Sequence, residues 1–335
     1  MTVVSIVQNN RIRVAVEESV QLLGGIESFV HPGNKVVIKP NLVFGLPPYT
    51  GFTTDPPIIE AIIELCMKVG PMELTIAEGA GGIDTNLAFR ISGYIELAER
   101  YGVNLVDLNE CPTTTISVPE GLLVQELNVP NSILDCDVLI NVPKLKLYRK
   151  LRGRGEWASL AIKNLLGALP GKGEYTDTKP SGFSVRMSRE FLTQGSKYFH
   201  SSYKQWWSPR GEKKRIHANL AQGLVDISTV IKPAINIIDA VIVSDDVNMS
   251  DTKGMVPIDL STIIASKDPL ALDCIATQIA GLDASKISYL KHAMDRAIGE
   301  SNPDKIQMIG TTLETVIETW ETGLTARHNT ELREL

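Results

Sequence analysis

The chain has 335 residues, 43% of them hydrophobic and 21% charged, with a mean hydropathy of +0.03, which excludes a disordered, collagenous or coiled-coil protein. The 33 Lys and Arg against 39 Asp and Glu give a net charge of −6, but unevenly: Lys144 to Arg215 holds 17 basic and 5 acidic residues, a net +12, leaving −18 for the rest. A basic middle set in an acidic body attracts anions, so phosphates, carboxylates, nucleic acid and acidic proteins are the partner classes to weigh.

The elements read as follows in chain order. Val3–Val7 is a short β-branched strand, Arg11–Leu23 has helical spacing and stops at Gly24-Gly25, and Lys35–Lys39 (KVVIK) is a buried-type strand ended by Pro40. Thr54 or Asp55 caps a helix that starts at Pro56-Pro57 and runs to Val69, since proline at the first helical position loses nothing by lacking an N–H. Glu73–Ala77, Val103–Asp107 and Val138–Val142 are further strands, with a helix near Tyr94–Tyr101. After residue 216 the pattern resumes with a helix over His217–Val230, strands at Ala234–Val243 and Thr262–Ser266, helices at Pro269–Ile279 and Ser285–Ala297, and a strand at Ile306–Ile309. The expected fold is therefore α/β: a mostly parallel sheet or sheets with helices on both faces, in two α/β halves, 1–148 and 217–320. Between them, 149–216 breaks the rhythm. Only Ser159–Leu166 reads as helical there, and the segment holds Trp157, Trp206 and Trp207, so it is read as a basic, aromatic-rich insertion acting as a lid. The polar tail, 321–335, is expected to fray.

No run of about 18 apolar residues occurs, and the N-terminus lacks signal-peptide character, so the expected compartment is the cytoplasm. Cys66, Cys111, Cys136 and Cys274 stand singly, which reads as reduced thiols and gives neither a metal knuckle nor an iron–sulfur run. The five histidines form no H-x-H or H-E-x-x-H pair, and no nucleotide-binding glycine fingerprint is present. No cofactor is evident; a divalent metal on the carboxylates is left open.

Three polar clusters follow apolar strands directly: Lys39-Pro40-Asn41, Glu78-Gly79, and Asn141 through Lys144 to Lys146. Open α/β sheets place ligands at this position, outside the carboxyl ends of their strands. Lys163-Asn164 lies within an apolar helical stretch, where a partly desolvated lysine can bind an anion or act as base or nucleophile; a snorkelling helix lysine is the plainer alternative. Asp268 is read as the N-cap of the Pro269 helix, and Asp273 within that helix faces the core and needs a partner, for which a lysine of the first half is the candidate. His217 could serve as an acid or base near neutral pH. Asp239 lies inside the apolar run NIIDAVIV.

The blocks VVIKPNLV (36–43), TTDPPIIEAII (53–63), LTIAEG (74–79), DVLINVPKLK (137–146), LAIKNLLGALPG (160–171), HANLAQGLVDI (217–227), INIIDAV (235–241) and IIASKDPLALD (263–273), in that order, resemble the domain of unknown function 362 family. The resemblance implies an α/β fold; many members carry a ferredoxin-like segment with two four-iron four-sulfur clusters, whose cysteines this chain lacks. It also departs where the family often has a histidine after its Pro-Lys-x-Lys block, reading Leu147-Tyr148, and where a Gly-Pro-rich turn is replaced by Asp251–Pro257. A looser likeness to the nickel-pincer lactate racemase type of fold rests on Thr54-Asp55-Pro56 and on Lys163 with Pro170-Gly171; its catalytic histidines have no clear counterparts, and shared architecture does not transfer function.

These features together give an enzyme acting on an anionic small molecule by non-redox acid–base chemistry: isomerisation, cyclisation, elimination or condensation. Lys39, Asn41, Thr54, Lys144, Lys146 and Asn164 would bind the anion, Lys163, Glu78, Asp273 and His217 would move protons, and Trp157 and Trp206 would line the lid. The alternative is a binding protein that docks an acidic carrier protein or a ferredoxin through the basic segment. Overall acidity argues against nucleic acid, and a homo-oligomer is left open.

Overall fold

The structure, a computed structural model, describes residues 1–43, 46–151, 155–171, 211–245 and 257–333. In chain order the elements are β1 (Thr2–Gln8), α1 (Ile12–Leu22), β2 (Lys35–Lys39), α2 (Pro56–Val69), β3 (Glu73–Glu78), α3 (Thr85–Ile91), α4 (Tyr94–Tyr101), β4 (Asn104–Asp107), β5 (Thr113–Ser117), β6 (Glu126–Pro130), α5 (Asn131–Leu134), β7 (Val138–Asn141), β8 (Lys144–Leu151) and β9 (Gly155–Ser159). They continue with α6 (Ala161–Asn164), α7 (Gly211–His217), α8 (Leu220–Val230), β10 (Ile235–Ser244), β11 (Pro257–Ser266), α9 (Pro269–Ile279), α10 (Ser288–Asp295), β12 (Ile306–Gly310) and α11 (Leu313–Arg333).

The main sheet runs β12-β1-β11-β10-β7-β2-β3-β4, with β8 paired to β10 and β9 to β8. It is mostly parallel; β11 is antiparallel to β1 and β10, and β9 to β8. The hydrogen bonds between β7 and β10 join strands from before residue 149 and after residue 216 in this one sheet. Alternation along each strand feeds two cores. On β2, Val36 and Ile38 pack with α1, α2 and α4, whereas Val37 faces the core built from α8, α9, α10 and α11. Helix α2 shows why: Ile58, Ile62 and Cys66 recur at helical spacing, all buried, each large aliphatic member contributing about 1.5–3 kcal/mol by leaving water.

Several elements differ from the sequence expectation. Residues 144–151 and 155–159 form the strand pair β8–β9, and the helix expected over Ser159–Leu166 is the short α6 with a following 3₁₀ turn. The expected helix over His217–Val230 is two, because Asn219 turns out of the helix and accepts a hydrogen bond from the Gln222 N–H to start α8. The β5–β6 hairpin was not anticipated. The tail after Trp320 is helical, since α11 runs from Leu313 to Arg333. Most of the aromatic-rich stretch, including Trp206 and Trp207, lies outside the described residues, as does the departure at Asp251–Val256.

Candidate functional site

The parallel strands β2, β3 and β7 end side by side, with Lys39 opposite Asn141 in the β2–β7 ladder. Their carboxyl ends therefore deliver Lys39, Glu78 and Asn141 to one edge, where the strand ladder no longer uses the surroundings for hydrogen bonding. Lys39 is fully buried and donates from Nζ to Glu78 Oε2 at 2.7 Å and to the Pro40 carbonyl at 3.0 Å. Burial pulls the Lys39 ammonium down and pushes the Glu78 carboxyl up, each opposed by the attraction of the other. Gly167 lies against this pair: a Cβ there would meet Glu78 Oε1 and come within 2.8 Å of Lys39 Nζ, so only glycine lets the backbone approach. Lys213, from α7, closes the same corner by donating to the Gly79 carbonyl (2.7 Å) and Asn109 Oδ1 (2.9 Å), and burial lowers its pKa to about 8.

A chain of side-chain amides crosses the strand ends. Lys146 Nζ donates to Asn41 Oδ1 (2.5 Å), Asn41 Nδ2 to Asn164 Oδ1 (2.7 Å), Asn164 Nδ2 to Asn141 Oδ1 (2.8 Å) and Asn141 Nδ2 to Asn236 Oδ1 (2.8 Å). Because Lys146 donates to Asn41 Oδ1, the amide of Asn41 turns its Nδ2 towards Asn164, and each amide behind it is oriented in turn. Lys146 also donates to the Phe52 carbonyl at 2.9 Å. Burial, with Lys163 and Lys144 nearby, holds its pKa well below the usual lysine range. Thr54 braces the site from behind, its hydroxyl donating to the Val142 carbonyl (2.8 Å) and accepting from the Asn41 N–H (2.9 Å). Lys144 pairs with Asp239 at 2.8 Å, both buried, because β8 and β10 are in register at these two residues. Asp239 Oδ2 also accepts the Asp55 N–H at 2.9 Å; burial, then the neighbouring Asp239 charge, raises the Asp55 carboxyl to about 6.

Lys163 projects from α6, half-buried, with Nζ 5.3 Å from the centre of the Tyr148 ring and a long 3.4 Å hydrogen bond to Ser159 Oγ. Burial lowers its pKa to about 8. The site thus gathers Lys39, Lys144, Lys146, Lys163 and Lys213 against Glu78, Asp239, Asp55 and Asp107, more lysines than carboxylates in a desolvated setting.

The other expected site residues lie elsewhere. Among the described residues Asp273 meets no lysine; its side chain accepts the Ala161 N–H (2.7 Å) and the Ile162 N–H (3.1 Å), anchoring the start of α6 and so holding Lys163 and Asn164 in place. Burial still pushes Asp273 up to about 8, against the pull of those two donors. Asp268 caps α9 as expected, accepting from the Leu270 and Ala271 N–H groups. His217 ends α7 rather than opening a helix. Trp157 belongs to β9 and is buried against Tyr289, ring centroids 5.2 Å apart, so it is core rather than lid. Among the described residues no group of three or more His, Cys, Asp or Glu could hold a metal ion, and no described helix is long and apolar enough to cross a membrane. Lys213, Asn236, Asn109 and Gly167 are the members sequence reasoning missed; Asp239 and Asn141 it noticed without placing.

The molecule is thus an α/β protein with a lysine- and amide-rich cluster at the carboxyl edge of a mostly parallel sheet. Its residues 36–278 match the family described as domain of unknown function (DUF362), and the chain belongs to that family. A thylakoid-associated protein of Synechocystis is 25% identical over 303 residues, covering 89% of this chain and 79% of that protein. Among solved structures, a Thermotoga maritima protein is 14% identical with a TM-score of 0.38, over 75% of this chain and 55% of that one. The lactate racemase apoprotein of Thermoanaerobacterium thermosaccharolyticum is 12% identical with a TM-score of 0.40, over 86% of this chain and 58% of that one. The chain therefore spans little more than half the length of either solved structure.

Proposed function

We propose that this protein is an enzyme that binds a small carboxylate- or phosphate-bearing molecule at the carboxyl edge of the sheet and moves protons on it without redox change, in an isomerisation, cyclisation, elimination or condensation. One observation carries the reading: Lys146, Lys163 and Lys213, each with a lowered pKa, have no carboxylate hydrogen-bond partner among the described residues, while Glu78 and Asp239 are engaged by Lys39 and Lys144. Burying unpaired cations is costly, and proteins tolerate it where a ligand completes the charge balance. Lys163, part neutral near pH 7, is suited to proton transfer as a base, and Glu78, held by Lys39, is the carboxylate that fixes the charge beside it. The docking alternative is less well supported, because Lys144, Lys146 and Lys213 of the basic segment are buried rather than presented to a partner.

The test is sulfate binding, an anion whose charge is constant between pH 6 and 9, followed by thermal shift and calorimetry. Sulfate should stabilise the protein at pH 6–7 and progressively less as pH rises through about 8, where Lys163 loses its proton. Raising sodium chloride from about 50 to 200 mM should weaken a many-phosphate polyanion contact by orders of magnitude but this site only modestly. Equal stabilisation of the wild type and Lys163→Ala at every pH would overturn the reading.

A further inference from the structure

Four of the five lysines in the cluster are held fast. Lys39 is fixed by Glu78 and the Pro40 carbonyl, Lys144 by Asp239, Lys146 by Asn41 and the Phe52 carbonyl, and Lys213 by the Gly79 carbonyl and Asn109, all with donor–acceptor distances of 2.5–3.0 Å. Each is at most 4% exposed. Lys163 differs: it is half-buried, its one side-chain hydrogen bond among the described residues is 3.4 Å long, and it rests over an aromatic ring. Its backbone, by contrast, is rigidly set, since Asp273 anchors the first turn of α6 and the neighbouring Asn164 is locked into the amide chain. A loosely held amine on a fixed stem is the arrangement of a nucleophile, whereas the other four are tied by short hydrogen bonds and cannot swing towards an electrophile.

We infer that Lys163 condenses with the carbonyl group of an anionic oxo acid to form a protonated imine, the acid's carboxylate being held among the lysines of the same cluster. This rests on the anion-binding reading above and names its substrate class. The neutral Nζ lone pair adds to the carbonyl carbon, forming the C–N bond, while the C=O π pair moves to oxygen. That oxygen takes up protons and leaves as water when the C–O bond breaks, so overall one proton is consumed and one water released. The positive imine nitrogen then withdraws electrons from the adjacent carbon, the activation that isomerisation, elimination and condensation of oxo acids all require. With a pKa of about 8, roughly a tenth of Lys163 is neutral at pH 7 and about half at pH 8, against well under 1% of an ordinary lysine.

The experiment treats the full-length protein at pH 8 with glyoxylate, then sodium borohydride, which reduces any imine to a stable secondary amine, and maps adducts by peptide mass spectrometry. The expected result is a single adduct on Lys163, at least about tenfold above that on Lys286 or Lys291, whose side chains are 73% and 60% exposed. Acetaldehyde, which lacks the carboxylate, should label Lys163 less than glyoxylate. Lys163→Arg keeps the charge but forms no such imine and should lose the adduct while retaining sulfate stabilisation. Labelling in proportion to exposure, or unchanged total labelling in Lys163→Arg, would overturn the inference, and the wild-type map decides this even if that variant does not fold. Sulfate stabilisation without an adduct overturns the imine and leaves the anion site standing; loss of both overturns the anion site as well.

Discussion

Replacing Lys39 with methionine removes one half of the buried Lys39–Glu78 pair while nearly preserving volume. At 2.7 Å and an effective dielectric constant of about 20, the attraction between the two charges is about 6 kcal/mol. Most of this is offset by the cost of taking both ions out of water, so the pair contributes little net, yet removing one partner strands the other and costs about 3–5 kcal/mol. Over 335 residues the unfolding entropy is about 0.7 kcal/mol/K, so the loss corresponds to a fall in melting temperature of about 4–7 °C. Glu78 retains the Gly79 N–H and the nearby Lys213, and without Lys39 its already raised carboxyl rises further and protonates. A group whose folded pKa is raised contributes stability at low pH and loses it as pH climbs, so Lys39→Met should be less damaging at pH 5 than at pH 8. The assay is thermal unfolding of Lys39→Met, Glu78→Met and the double variant at both pH values. The double variant should recover most of the loss, because two apolar side chains need no compensation. A single-variant change under about 1 °C at both pH values, or a double variant as damaged as the sum of the singles, would refute the reasoning.

Two further perturbations probe neighbouring parts of the same framework. Gly167→Ala puts a methyl group against Glu78 and Lys39, so it should lower the melting temperature and weaken sulfate stabilisation together, as measured by thermal shift; a variant with wild-type melting and wild-type sulfate response would show that the backbone does not need to approach this closely. For Asp273, with a folded pKa of about 8 against about 4 unfolded, the native state binds the extra proton between those values, so wild-type stability declines across that window. Asp273→Asn does not titrate; in parallel melts, the wild type should therefore lose ground to it from about pH 4 to pH 8 and then run level, whereas a wild type that gains ground over that range would mean the two N–H donors keep the carboxylate ionised.

Much of the framework was legible because it depends on local sequence. KVVIK, ELTIA and VLIN are apolar runs closed by a charged or amide residue, and strands of that kind in a parallel sheet end at a common edge, so Lys39, Glu78 and Asn141 could be anticipated there. The β8–β9 pair was missed although KLKLYRKL alternates with period two and buries Leu145 and Leu147. The surrounding Gly, Lys and Arg content reads as a loop, and here pairing with β10 outweighs composition. Trp157 was assigned to a lid for the same reason, since its partner Tyr289 is far along the chain and no local pattern announces the contact.

Lys213 shows where a single sequence stops being informative. It stands in the run Lys213-Lys214-Arg215, of which only the first turns inward while the other two are exposed, and no periodicity separates them. The choice is made by acceptors on other segments, the Gly79 carbonyl and Asn109. The same holds for Lys144, whose partner Asp239 is defined by the register of β10 against β8. The +12 of the middle segment looked like a surface property, but Lys144, Lys146 and Lys213 spend their charge inside, on Asp239, on the amide chain and on backbone carbonyls. The asymmetry is therefore in part a feature of the site itself: a basic segment threaded through the edge of an acidic body brings more lysines there than the described carboxylates pair with, and Lys146, Lys163 and Lys213 are the ones the proposed substrate anion would balance.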